Sequence, residues 1–159
     1  ALKTNNYELG YVTSKDEKII VENKKEIKKA EEEIKEKERL KKEEKERVEK
    51  ERLEQEKRQK IQNASIGEKN ALNKAKSYLN YTAFSYSGLV KQLEFEGFSN
   101  SEARFGADNS GANWKEQAAK KAKQYMDYSS FSRKGLIDQL EFEGFTSEQA
   151  EYGAAAVGY

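Results

Sequence analysis

The 159 residues contain no cysteine and no histidine. The first absence excludes disulfides and thiolate chemistry, and it leaves the compartment unreadable from redox usage. The second removes the proton shuttle that works near neutral pH and the commonest metal ligand. No apolar run approaches the length that spans a bilayer. The chain opens at Ala1 without the basic and apolar regions of a signal peptide, which fits either a cytosolic protein or one whose targeting segment has been removed. Glycine and proline are missing from residues 17–62, so nothing there interrupts a helix.

Charge is abundant by contrast. Residues 16–62 hold 33 charged residues in 47, almost evenly split between signs. Opposite charges recur four apart with the acid first, as in Glu38–Lys42, Glu43–Arg47 and Glu46–Lys50. Each such pair stabilises an isolated helix by about 0.2–0.5 kcal/mol. A coiled coil is the competitor: Ile20, Ile27, Ile34 and Val48 share one seven-residue register, but Lys41 interrupts it and Lys24 and Glu31 occupy the second seam. A solitary or partly frayed charged helix over 17–62 is favoured over a weak coiled coil or disorder. It would reach about 69 Å at 1.5 Å per residue and serve as a spacer. Residues 1–16 read as an irregular lead-in, with Asn5, Asn6 and Gly10 as turn formers.

The remaining sequence, roughly 90 residues, is nearly a duplicate, and units of half that size are marginal alone. Residues 71–107 match 118–154 at a constant offset of 47, with 20 of 37 positions identical. The expected domains are 66–108 and 109–159, leaning on each other as repeats do. In the first, Ser65 and Glu68 have capping-box spacing ahead of a helix over 67–80, with Ala71, Ala75, Tyr78 and Leu79 as its apolar stripe. Asn113 and Glu116, then Ala118, Ala122, Tyr125 and Met126, repeat the arrangement. Ser85 or Ser132 opens a second helix that buries Leu89 and Leu93, or Leu136 and Leu140. Gly88 and Gly135 sit in its first turn, and Gly97 and Gly144 stand where a C-terminal cap needs left-handed backbone. Ser99 with Glu102, and Thr146 with Gln149, open a third helix. The alternation in Leu93-Glu94-Phe95-Glu96 hints at a strand, but no partner is evident and the helix is preferred. Phe84, Phe95, Phe98, Phe131, Phe142 and Phe145 are assigned to the core, with the exposure of one in each unit left open. The fold class is therefore all-α, a long charged helix followed by two three-helix, helix-turn-helix-like repeats.

Such a shape invites a DNA reading, which the charges oppose. From Gly135 to Tyr159 the acids Asp138, Glu141, Glu143, Glu148 and Glu151 meet no lysine or arginine, a formal −5. A duplex would be repelled. The acids, with Glu94 and Glu96 of the first unit, are candidates for docking a basic protein segment, whose encounter such charge steers. The alternative is a simply solvated acidic face. Catalysis is disfavoured: Glu94 and Glu96 are two apart and share no helical face, the serines lack any histidine, and the carboxylates would hold a metal only weakly. No cofactor is implied.

The paired segments YLNYTAFSYSGLVKQLEFEGFS at 78–99 and YMDYSSFSRKGLIDQLEFEGFT at 125–146, with FGADNSGANWKEQA at 105–118, closely resemble the Ltp-type host-cell-surface lipoproteins encoded by temperate phages of dairy streptococci and by related Gram-positive genomes. The resemblance covers 66–159. It implies a lipid-anchored protein on the outer face of the membrane that mediates superinfection exclusion by blocking phage DNA injection. The partner it implies is a basic segment of the phage tape measure protein, with no nucleic acid bound. The family's acylated cysteine and signal peptide are absent from this chain, so on this resemblance it is the soluble ectodomain, reaching the membrane only through an N-terminal lipid anchor. The recurrent positions it marks include Gly88, Leu89, Gln92, Gly97, Phe98 and Gly106, with Gly135, Leu136, Gln139, Gly144, Phe145 and Gly153. The alternative function is a cell-wall-associated structural or adhesive spacer without a phage partner.

Overall fold

The computed structural model describes residues 14–159, and side chains from residue 18. The lead-in expected over 1–16 lies outside the described residues as far as residue 13, and Ser14 already opens a helix. The described residues form seven helices: α1 Ser14–Gln62, α2 Ile66–Tyr81, α3 Tyr86–Phe95, α4 Asn100–Asn109, α5 Trp114–Tyr128, α6 Arg133–Phe142 and α7 Ser147–Ala156. The alternation at 93–96 thus ends a helix rather than forming a strand.

Contacts divide the chain after Glu54. In the first unit, α1 leaves every side chain from residue 18 to residue 54 exposed, and Ile20, Ile27, Ile34, Leu40 and Val48 are each about half uncovered. Several of its ion pairs fall outside the four-apart, acid-first pattern. Arg39 bridges Glu36 at 2.6 Å and Glu43 at 2.9 Å, Lys42 faces Glu46, and Arg47 meets Glu44 at 2.8 Å. Glu43 and Glu46 are therefore engaged by the cation before them rather than by Arg47 and Lys50. The broad guanidinium fork reaches carboxylates both one turn back and one turn on, which point-charge spacing does not anticipate. Exposed pairs of this kind contribute about 0–1 kcal/mol each.

The second unit, Gln55–Tyr159, holds the two repeats. Capping defines each helix as the sequence predicts. Ser65 and Glu68, Ser99 and Glu102, and Thr146 and Gln149 close reciprocal capping boxes, whereas Ser85, Ser132 and Asn113 cap with the side chain alone. At the ends of α3 and α6, Gly97 and Gly144 take φ of 95° and 90°. The Phe98 and Phe145 amides then reach back to the Leu93 and Leu140 carbonyls at 3.2 and 3.1 Å. This satisfies carbonyls that a helix end otherwise leaves unpaired.

Two cores result. Ala75, Leu89, Val90, Leu93, Ala103 and Ala107 fill the first, with Tyr78, Phe84 and Phe98 packed against it. Ala118, Ala122, Leu136, Leu140, Phe145, Ala150 and Ala154 fill the second, with Tyr125 and Phe131 alongside. The outer helices of each repeat, α2 with α4 and α5 with α7, cross closely at Gly106 and Gly153. A Cβ on either would lie 2.8–2.9 Å from the carbonyl oxygen of Ala71 or Ala118. Phe95 and Phe142 depart from the core assignment, each being 87 % exposed. They stand two residues beyond Leu93 and Leu140, about 200° around the helix from the buried stripe.

The repeats also dock on one another. The loop between α2 and α3 and the first turn of α3 meet α5 and the turn after α6: the Ser85 hydroxyl donates to the Glu143 carbonyl at 2.6 Å, and Ser87 to that of Gly144 at 3.0 Å. Gln124 donates to the Thr82 hydroxyl at 3.2 Å, the Phe84 amide donates to Gln117 at 3.4 Å, and the Lys121 ammonium lies over the Phe84 ring. Ala83 is sealed beneath, 1 % exposed.

Candidate interaction surface

The seven carboxylates picked out from the sequence sit on three helices and their ends. Glu94 and Glu96 lie at the end of α3, Asp138, Glu141 and Glu143 along and just past α6, and Glu148 and Glu151 on α7. The structure gives them unequal roles. Glu96 accepts a hydrogen bond from the Tyr78 hydroxyl and pairs with Lys74 at 3.0 Å, while Gln92 donates to the same hydroxyl at 3.1 Å. Glu143 repeats the node: Tyr125 donates to it, Lys121 lies 3.5 Å away, and Gln139 donates to Tyr125 at 3.0 Å. The Tyr78 hydroxyl and then Lys74 hold the Glu96 carboxyl below the ordinary range. Burial, with the Glu143 carboxylate next in order, raises the Tyr125 phenol. Each node ties the first helix of a repeat to the end of its second. Glu96 and Glu143 are thus engaged within the fold.

Asp138 is paired with Lys134 at 2.5 Å, and Glu148 with Lys115 at 2.6 Å. Glu94 accepts from Asn100 at 2.7 Å without a cation. Glu141 and Glu151 are exposed, and among the described residues no cation closes an ion pair on either. The formal −5 of residues 135–159 is therefore softened locally at three of its five charges. Two acids on the second repeat and Glu94 on the first are left to present charge outward. The lysines that do this matching were the feature sequence reading missed. Lys74 and Lys121 occupy the same place in both copies, one turn ahead of Tyr78 and Tyr125, and that repetition was the available signal.

Leu89, Leu93, Leu136 and Leu140 are fully buried and Phe145 nearly so, while Phe84, Phe98 and Phe131 are half-buried against the cores. Tyr78 and Tyr125 meet Phe84 and Phe131 edge-on, with ring centroids 5.6 Å apart in both copies. Gly88 and Gly135 leave room for the capping hydroxyls of Ser85 and Ser132. Among the described residues no group of acids is arranged to hold a metal ion. Nor is any described helix long and apolar enough to cross a membrane.

The family model described as host cell surface-exposed lipoprotein matches the chain twice in succession, over residues 67–109 and 113–157, which together exceed half its length. The chain belongs to the host cell surface-exposed lipoproteins. The two matches coincide with the two three-helix repeats, so the lipoprotein motif is the repeat itself. A solved structure, that of Ltp, a superinfection exclusion protein from the Streptococcus thermophilus temperate phage TP-J34, is 36 % identical. It superposes with a TM-score of 0.55, covering 58 % of this chain and 96 % of that one. Among curated proteins nothing matches. As a lipoprotein of this family the chain is displayed on the cell surface, and its repeats are helical modules.

Proposed function

We propose that the chain acts in superinfection exclusion. Displayed outside the membrane, it would block DNA injection by an incoming phage by holding a basic segment of the tape measure protein. The observation that carries this reading is the likeness of both repeats, at 36 % identity, to a superinfection exclusion protein. The charge distribution supports the choice of partner: residues 135–159 carry five acids and no lysine or arginine. Such a surface attracts a cationic protein segment and repels a nucleic acid backbone. Neither repeat offers a nucleophile with a base, so the mechanism is binding and obstruction rather than chemistry.

A plaque and adsorption assay tests the reading. Cells displaying the lipoprotein on their surface are expected to adsorb phage normally, yet to admit no phage DNA and form few plaques. Normal DNA entry and plaque numbers would overturn it, and would leave a wall-associated spacer as the better description.

A further inference from the structure

Two phenylalanines are placed where folding gives no reason for them. Phe95 and Phe142 occupy the same position in the two repeats and are each 87 % exposed. Scattered exposed apolar residues are ordinary on protein surfaces. What sets these apart is their retention while the surface around them has changed. On the same helices, Tyr86, Ser87 and Lys91 of the first copy correspond to Arg133, Lys134 and Asp138 of the second. The retained residues at the helix end divide into two groups. Glu96 and Gly97, with Glu143 and Gly144, are explained by the tyrosine–lysine node and by the left-handed cap. Glu94 with Phe95, and Glu141 with Phe142, have no such explanation. Glu94 accepts from Asn100, but the counterpart of Asn100 is Ser147, so no shared intramolecular bond accounts for both glutamates.

At the end of its second helix each repeat therefore carries, at consecutive positions, an exposed carboxylate that closes no ion pair among the described residues and a bare aromatic ring. Phenylalanine has no polar tip to satisfy in water, unlike the exposed Tyr81 and Tyr128, so its exposure gains nothing until something covers it. Aromatic anchors beside complementary charge are the usual composition of binding hot spots. We infer that Glu94–Phe95 and Glu141–Phe142 are two equivalent contact points for a basic protein segment that carries apolar side chains among its lysines and arginines. The cationic occupant follows from the carboxylate beside each ring and from the absence of lysine and arginine in residues 135–159. This inference rests on the proposed exclusion role and adds to it the anchoring residues and the apolar half of the recognition. Two like points on one folded unit also predict additive behaviour, because one segment engaging both gains effective concentration for the second contact.

The test uses the 159-residue chain and overlapping synthetic peptides covering the tape measure protein of an excluded phage, with affinity read by fluorescence anisotropy. For the peptides that bind, Phe95→Ala and Phe142→Ala are each expected to weaken binding about tenfold, the double variant by about a hundredfold, and Phe142→Leu by much less. Melting temperatures should stay at the parent value, because neither ring packs in a core. Affinity of the double variant within twofold of the parent would overturn the inference while leaving the exclusion role in place. If no peptide binds the parent chain, the partner reading fails and the aromatic contact points fail with it.

Discussion

A Cβ built on Gly153 would lie 2.9 Å from the Ala118 carbonyl oxygen, and one on Gly106 2.8 Å from that of Ala71. Both contacts are to backbone, which has no rotamer to yield. Gly153→Ala should gain helix propensity yet lose more by forcing α5 and α7 apart. We expect a net loss of about 1–2 kcal/mol in urea unfolding, and an unchanged midpoint would show that the helices separate freely. Glu96 makes a different residue-scale prediction. Its carboxyl is held low in the folded protein by Tyr78 and Lys74. A carboxylate depressed on folding contributes stability above its unfolded pKa, about 4.3 for glutamate, and loses it as pH falls through the lower folded value. The melting-temperature gap between the parent and Glu96→Gln should therefore be constant from pH 5 to 7, as a plateau above about 4.3 requires, and should close below pH 4. A gap independent of pH would show that the charge contributes nothing. The leucines and alanines of the cores were plain in the sequence because helical spacing marks them. Phe95 was not, because hydrophobicity alone drew it inward although its position, two residues past Leu93, faces away.

Among the elements, the helix ends were the most legible part of the chain. Serine, threonine or asparagine at the N-termini of α2 to α7, and Gly97 and Gly144 past α3 and α6, mark boundaries through hydrogen bonds local in sequence. The contact between repeats was less legible, since Ser85, Ser87, Thr82, Gln117 and Gln124 are ordinary surface residues until a partner helix is in view. The duplication offers a control for this contact. Gly97 and Gly144 share a left-handed conformation, but a Cβ on Gly97 meets nothing within 4 Å, whereas one on Gly144 falls 2.1 Å from the Ser87 hydroxyl and 3.0 Å from that of Ser85. Gly97→Ala should cost about 1–2 kcal/mol for the backbone alone. Gly144→Ala should cost more, and Ser87→Ala should relieve part of the excess in a double-mutant cycle. Equal costs at the two glycines, or no coupling to Ser87, would mean that the repeats do not bear on each other there.

For the whole molecule, charge is the property that matters, and the structure redistributes what the sequence adds up. The net charge is +1, yet residues 135–159 carry −5. Lys121, Lys134 and Lys115 answer three of those acids at close range. Reversing Glu143 would break the bonds from Tyr125 and Lys121, and reversing Asp138 would set two cations a helical turn apart. Lost binding in either variant would confuse damage to the fold with loss of a contact. Glu141 and Glu151 avoid this, being exposed and without an ion pair among the described residues. On the proposed reading, Glu141→Lys with Glu151→Lys should leave the helical circular dichroism and the melting temperature unchanged. Association with the tape-measure peptides at low salt should slow by roughly tenfold, since outward charges act mainly on encounter. The difference should shrink as ionic strength approaches about 0.15 M, where screening sets in within about 8 Å. Equal association rates at low salt would remove steering from the mechanism. Because the phenylalanine variants act on dissociation through lost burial, stopped-flow rates for the two sets separate the electrostatic half of recognition from the apolar half.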